Sequence, residues 1–168
     1  MKNLLLIAYL DLKESIRAKW FLVYSLVFGG MIALFFIAGV TQSQVMGFSG
    51  LSRLLLMYIQ ITIVILPIFI LVTTVRSISG DRDNHILEYM LSFPISLKQY
   101  YWGKILGRFI TVFLPVFFAM ILAVIYGVII GASVPWDILF LYSGLLFALS
   151  SAFLGIAFFI SSFVKSSE

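Results

Sequence analysis

The side chains able to do chemistry gather in one stretch. Residues 76 to 108 read RSISGDRDNHILEYMLSFPISLKQYYWGKILGR and hold Asp81, Asp83 and Glu88 together with His85, the one histidine of the sequence. Carboxylates beside an imidazole are the raw material of a divalent-metal site or an acid–base pair. A working centre needs more groups than these. The sequence has no cysteine and no second histidine, which excludes thiolate nucleophiles, disulfides and Cys/His metal sites. A lipid-modifying enzyme that used a metal would need further carboxylates to converge, and Asp137 falls at the far end of the long apolar stretches. The methionines, at 1, 31, 46, 57, 90 and 120, are scattered and form no copper-type cluster. No residue is assigned a catalytic, cofactor-binding or metal-ligating role, and His85 reads as a surface histidine.

The stretch is patterned as well as charged. Gly80 and Asp81 offer a turn and a cap, Pro94 ends the pattern, and a helical window lies between. At about 100° per residue, Ile86, Leu87, Met90, Leu91 and Phe93 share one side of that helix, with Asn84, His85, Glu88 and Ser92 opposite. This predicts a short helix lying on a membrane or against a partner. Ser96 can cap a second helix that runs through Lys98, Tyr100, Tyr101 and Trp102 into the next apolar stretch.

The elements that must hold this loop are membrane helices. Of 168 residues 62% are apolar and 11% charged, against about 45–50% and about 25% in soluble domains. Uncharged runs occupy residues 20–52, 54–75, 109–136 and 138–164. Each is long enough for a bilayer, which takes about 20 residues to cross. The expected fold is an all-α polytopic membrane helix bundle in one permease-type domain, 1–168, with spans at about 20–40, 54–75, 109–130 and 138–164. An interfacial helix at 3–19 and a cytoplasmic region at 76–108 complete it. No room is left for a soluble catalytic domain, so any energy source is external.

The net charge of +4 follows topology rather than a nucleic-acid stripe. Lys2, Lys13, Arg17, Lys19, Arg76, Arg82, Lys98, Lys104, Arg108 and Lys165 fall on one side if both termini are cytoplasmic, and Arg53 alone falls outside. This predicts a multi-pass protein of the plasma (inner) membrane with outer connections at 41–53 and 131–137. Residues 1–19 are not a signal peptide, because the apolar run is cut by Asp11, Lys13 and Glu14. Leu5, Tyr9, Leu12, Ile16 and Trp20 recur at helical spacing with Asp11, Glu14 and Ser15 on the other side, as in an elbow helix on a membrane surface. The alternative is a plain extension of the first span.

No ionisable residue lies in the central part of any span, which argues against proton- or ion-coupled carriers. Gln60 and Thr62 are mild polar groups, and Pro67 and Pro115 each remove a helix hydrogen bond; these four are the candidate substrate path. Gly103 with Gly107, and Gly127 with Gly131, have the G-x-x-x-G spacing that permits close helix approach.

The succession Gly80-Asp81-Arg82-Asp83, Leu87-Glu88, Met90-Leu91-Ser92, Pro94-Ile95-Ser96 and Gly103-Lys104 resembles the signature of type-2 ATP-binding-cassette (ABC-2) transporter permeases. In that family G-E-R-E, L-E-x-L-L-S-x-P-V-S and G-K recur in this order after the second span. The placement of the spans is similar throughout the chain, and the first 110 residues are most similar to the permease of the nitrous-oxide-reductase copper-site maturation system. The resemblance implies a membrane half-transporter that exports an unidentified substrate. It has no ATPase activity or cofactor of its own and pairs with a second permease copy and with a separate ATPase subunit that binds ATP. The loop helix would be the coupling helix, with Asp81, Arg82, Asp83, Glu88, Met90, Leu91 and Pro94 as the coupling set. Arg82 and Glu88 are expected as contacts to the ATPase or braces to the elbow helix. The chain departs from the family in having His85-Ile86 where Gly-Thr is usual, which bears on the local bend. It also lacks the last two of six spans, as a fragment or a part completed from elsewhere would. Two other readings compete: a membrane-embedded lipid-modifying enzyme built on Asp81, Asp83 and His85, and a non-transporting anchor or assembly factor.

Overall fold

A computed structural model describes residues 2–38, 50–75, 77–129 and 131–163. Among these residues the chain is wholly helical: α1 (Lys2–Arg17), α2 (Trp20–Ile37), α3 (Gly50–Thr74), α4 (Ser77–Asp83), α5 (Ile86–Leu91), α6 (Leu97–Ile129) and α7 (Trp136–Phe163). Four of the helical stretches, α2, α3 with its extension through α4, α6 and α7, are long and apolar enough to cross a membrane. The protein is a multi-pass membrane protein.

Helix boundaries follow local chemistry. Lys19 adopts a left-handed backbone, φ 63°, and breaks the chain between α1 and α2, so α1 is an elbow and not an extension of the first span. Ser96 and Gln99 form a reciprocal cap: the Gln99 amide donates to Ser96 Oγ at 3.3 Å and the Ser96 amide to Gln99 Oε1 at 3.2 Å. That cap starts α6 at Leu97, well before the uncharged run at 109. At 33 residues α6 is about 50 Å long, so the turns bearing Lys98, Lys104 and Arg108 stand outside a hydrocarbon layer of about 30 Å. Pro67 and Pro115 lie inside α3 and α6, which continue past them. The expected outer connection at 41–53 is shorter, because Gly50 to Arg53 belong to α3; residues 39–49, like the tail with Lys165, lie outside the described residues. At the connection between α6 and α7, Gly131 has a left-handed backbone, φ 75°.

Helix α6 is the hub, packing on α1, α2, α3 and α7, while α3 and α7 also pack together. Tyr24, Phe28 and Tyr58 are fully buried in the core, with Phe69 against Tyr24 and Phe28 and with Phe28 against Tyr58. Tyr58 donates to the Val116 carbonyl at 2.8 Å, so this deep hydroxyl is satisfied. Outward faces are apolar instead: Leu26, Ile37, Val72, Ile129 and Phe140 are each more than 60% exposed. A surface of that kind is stable in lipid rather than in water.

Candidate coupling and bracing site

The charged loop is anchored at its root and bare at its tip. Asp81, in α4, is buried and accepts hydrogen bonds from Tyr100 Oη and Lys104 Nζ of α6. Lys104 Nζ also donates to the Ser77 carbonyl at 2.9 Å. The first amides of a helix lack partners within it. In α4 those of Ile78 and Ser79 donate to Ser161 Oγ of α7, at 2.9 and 3.3 Å. Two spans therefore hold α4, one through an ion pair and one through a cap.

Beyond this root the chain turns at Asn84 and His85. The Asn84 amide and its Nδ2 donate to the Gly80 carbonyl at 3.0 and 2.8 Å, and His85 is left-handed with φ 56°. Gly80 and Asp81, expected to make the turn and the cap, lie inside α4; the bend comes four residues later, at Asn84 and His85. Helix α5 buries none of its residues. Glu88 is exposed, with Oε2 3.0 Å from His85 Nδ1. Asp83 and Leu91 are exposed too, while Met90 is half-buried in an apolar cleft of about 460 Å³ shared with Leu6 and Leu10 of α1. Asn3 Nδ2 closes the cleft's end by donating to the Pro94 carbonyl at 3.2 Å.

Helix α1 sits on α6 through the first glycine pair. A Cβ at Gly103 would lie 2.7 Å from Ile7 Cβ and 2.9 Å from the Leu4 carbonyl, and one at Gly107 would lie 2.8 Å from both the Ala8 carbonyl and Asp11 Cβ. Only glycine admits so close an approach. The contact buries Ile7, Ala8, Asp11 and Ser15 and leaves Leu5, Tyr9 and Ile16 exposed. The apolar stripe is thus free to face lipid as expected, but Asp11 and Ser15 face protein, not water. Asp11 Oδ2 lies 3.3 Å from Arg108 Nε. Burial pushes the Asp11 carboxyl up from 3.8 to about 6, outweighing the pull of Arg108 and Lys104. A polar cavity of about 190 Å³, lined by Glu14, Ser15, Thr73, Ser77 and Arg108 among others, adjoins this pair.

The profile of a family described as "ABC-2 family transporter protein" matches residues 5–168. The chain belongs to that family. A comparison with curated proteins gives no match. ABC-2 proteins are the membrane components of transporters and in general work with an ATPase partner.

In this ABC-2 chain the seven motif residues separate by position. Asp83, Glu88, Leu91 and Pro94 lie on the exposed side of the loop, and Met90 is half-buried facing α1. Asp81 is held at the root, and Arg82, although exposed, lines a cavity with Leu87, Lys98 and Trp102. The structure does not bring Asp81 to Asp83 and His85, the trio a lipid-modifying centre would need, because Asp81 turns inward and the other two outward. Of the candidate substrate path, Gln60 is exposed and Thr62, two residues on, is buried, so these two lie on different faces of α3. Sequence reasoning misses Asp11, Tyr100, Lys104, Arg108 and Ser161 as a bracing set. The available signal is a stripe of Leu4, Ile7, Ala8, Asp11 and Ser15 at helical spacing, matched by Gly-Lys and Gly-Arg four residues apart.

Proposed function

We propose that the chain is the permease half of an ABC-2 exporter in which α4 and α5 receive the movement of a separate ATPase subunit. The observation that carries this is the contrast along one short segment. Helix α5 buries none of its residues fully and exposes Ile86, Glu88, Tyr89 and Leu91, while α4 behind it is tied to α6 by Lys104–Asp81 and to α7 by Ser161. A rigid element with a free tip and a clamped root passes a push to the spans, whereas a slack loop absorbs it. Asp83, Glu88, Leu91 and Phe93 are the docking surface, with Pro94 setting the exit of the chain. Asp81 acts as a brace. The end of the bundle bearing α1, α4 and α5 is cytoplasmic, a reading supported by the ten basic residues on that side, and a second permease copy completes the transporter. Export in nitrous-oxide-reductase copper-site maturation rests on the sequence resemblance of the first 110 residues alone.

The test is reconstitution with an ATP-binding-cassette ATPase subunit that co-purifies with this chain. Glu88→Lys with Asp83→Lys is expected to lower co-purification and permease-stimulated ATP hydrolysis by about tenfold, the scale of losing roughly 1.4 kcal/mol of interface charge complementarity. The thermal midpoint of the chain alone stays unchanged. Undiminished pairing and undiminished stimulation would sink the docking assignment; a pairing that never depended on ATP would favour an anchor or assembly factor.

A further inference from the structure

Two cavities meet at Trp102. One of about 320 Å³ lies where α4, α5 and the start of α6 approach the end of α7, and Arg82 and Lys98 line it beside Leu87, Tyr101 and Trp102. Among the described residues no carboxylate lines it. Asp81, next to Arg82 in the chain, is engaged instead by Lys104 and Tyr100. Among the described residues neither Arg82 nor Lys98 forms an ion pair. The other cavity, about 580 Å³, is an apolar trough between α6 and α7, walled by Ile105, Leu106, Phe109, Phe147 and Leu154. Tyr101 and Trp102 line both, so the cationic mouth and the trough adjoin at these two rings. Space remains at the trough wall: a Cβ on Gly155 would meet nothing within 4 Å.

We propose that the two adjoining cavities bind an anionic phospholipid, its phosphate between Arg82 and Lys98 and one acyl chain in the α6–α7 trough. The chemistry matches on three counts. Two unpaired cations beside a membrane helix attract an anionic headgroup, each strengthening binding about fivefold. Trp102 and Tyr101 are the ring types that settle at headgroup level, between the polar mouth and the apolar trough. The trough excludes a free phosphate as sole occupant, since it offers only hydrocarbon and aromatic surface to the group attached to the phosphate. A lipid so placed would tie the root of α4 to α6 and α7. The site stands whether or not α5 docks on an ATPase.

The experiment is native mass spectrometry of the full chain in detergent, titrated with dioleoylphosphatidylglycerol or dioleoylphosphatidylcholine. Binding of the glycerol lipid is expected to be about 25-fold tighter, the product of two cations at about fivefold each. Arg82→Gln with Lys98→Gln brings the two lipids to near equality, while Lys13→Gln with Arg17→Gln, exposed bases on α1, leaves the preference intact. Gly155→Leu fills the trough and weakens both lipids alike, with helical circular dichroism verifying that the variant is folded. Equal binding of the two lipids by the unaltered chain overturns the proposal, as does equal loss of preference in the α1 variant. Undiminished binding by Gly155→Leu overturns the trough, and displacement of the lipid by millimolar inorganic phosphate would mean a headgroup-only anion site.

Discussion

Asp11 gives the chain a pH dependence whose sign can be worked out. With its carboxyl raised from 3.8 to about 6, the folded state holds the proton more tightly than the unfolded state does. The stabilisation this gives is fully present below pH 3.8 and is lost as pH rises through about 6, amounting to roughly 3 kcal/mol. The thermal midpoint of the chain in detergent, less that of Asp11→Asn, is therefore expected to fall between pH 4 and 7; a flat difference would mean that Asp11 stays ionised throughout. The glycines beneath α1 make a second residue-level case. Gly107→Ala places a methyl group 2.8 Å from the Ala8 carbonyl and is expected to cost about 1–3 kcal/mol, read as a lower midpoint and faster proteolysis at Ala18–Lys19. Gly144→Ala, with nothing within 4 Å of the new carbon, changes stability by no more than about 0.5 kcal/mol.

Helices with local signals are readable from the sequence. Ser96 reads as a cap and starts α6, the window before Pro94 is α5, and α1 is separate from α2. The turn within the loop comes later than the sequence suggests, because Gly80 looks like a breaker and is not one here. Held by Lys104 and Ser161, α4 keeps Gly80 and Asp81 helical, and the break falls on left-handed His85, where ABC-2 chains usually carry glycine. The packed face of α1 is illegible for a different reason. In a soluble protein the apolar stripe is buried; in a bilayer it faces lipid, and small and polar groups meet the neighbouring helix. Asp11 and Ser15, which read as water-facing, are buried for that reason. The α4 root makes its own prediction. Lys104→Met or Asp81→Leu alone strands a buried charge and is expected to cost about 3–5 kcal/mol, while the double variant recovers most of the loss. Denaturation in mixed micelles would show this, and additive single effects would mean that the two side chains are not coupled.

At the scale of the whole molecule, hydropathy alone sets the number and order of spans, because about 30 Å of hydrocarbon imposes its length on any helix that crosses it. Orientation is open to a direct measurement, since the chain has no cysteine of its own. A membrane-impermeant maleimide is expected to label Glu88→Cys and Lys13→Cys from the cytoplasmic side and Ser133→Cys from the opposite side; the reverse pattern would remove the coupling role of α5. The seat of α1 has a further consequence, for the order in which the protein is made. Asn3 meets Pro94 across ninety-one positions. Translation from the N-terminus therefore delivers α1 to the translocon long before the helix it clasps has left the ribosome. In that interval Asp11 lacks its arginine, and the greasy edge of Leu5, Tyr9 and Ile16 is what allows the nascent segment to wait on the lipid surface.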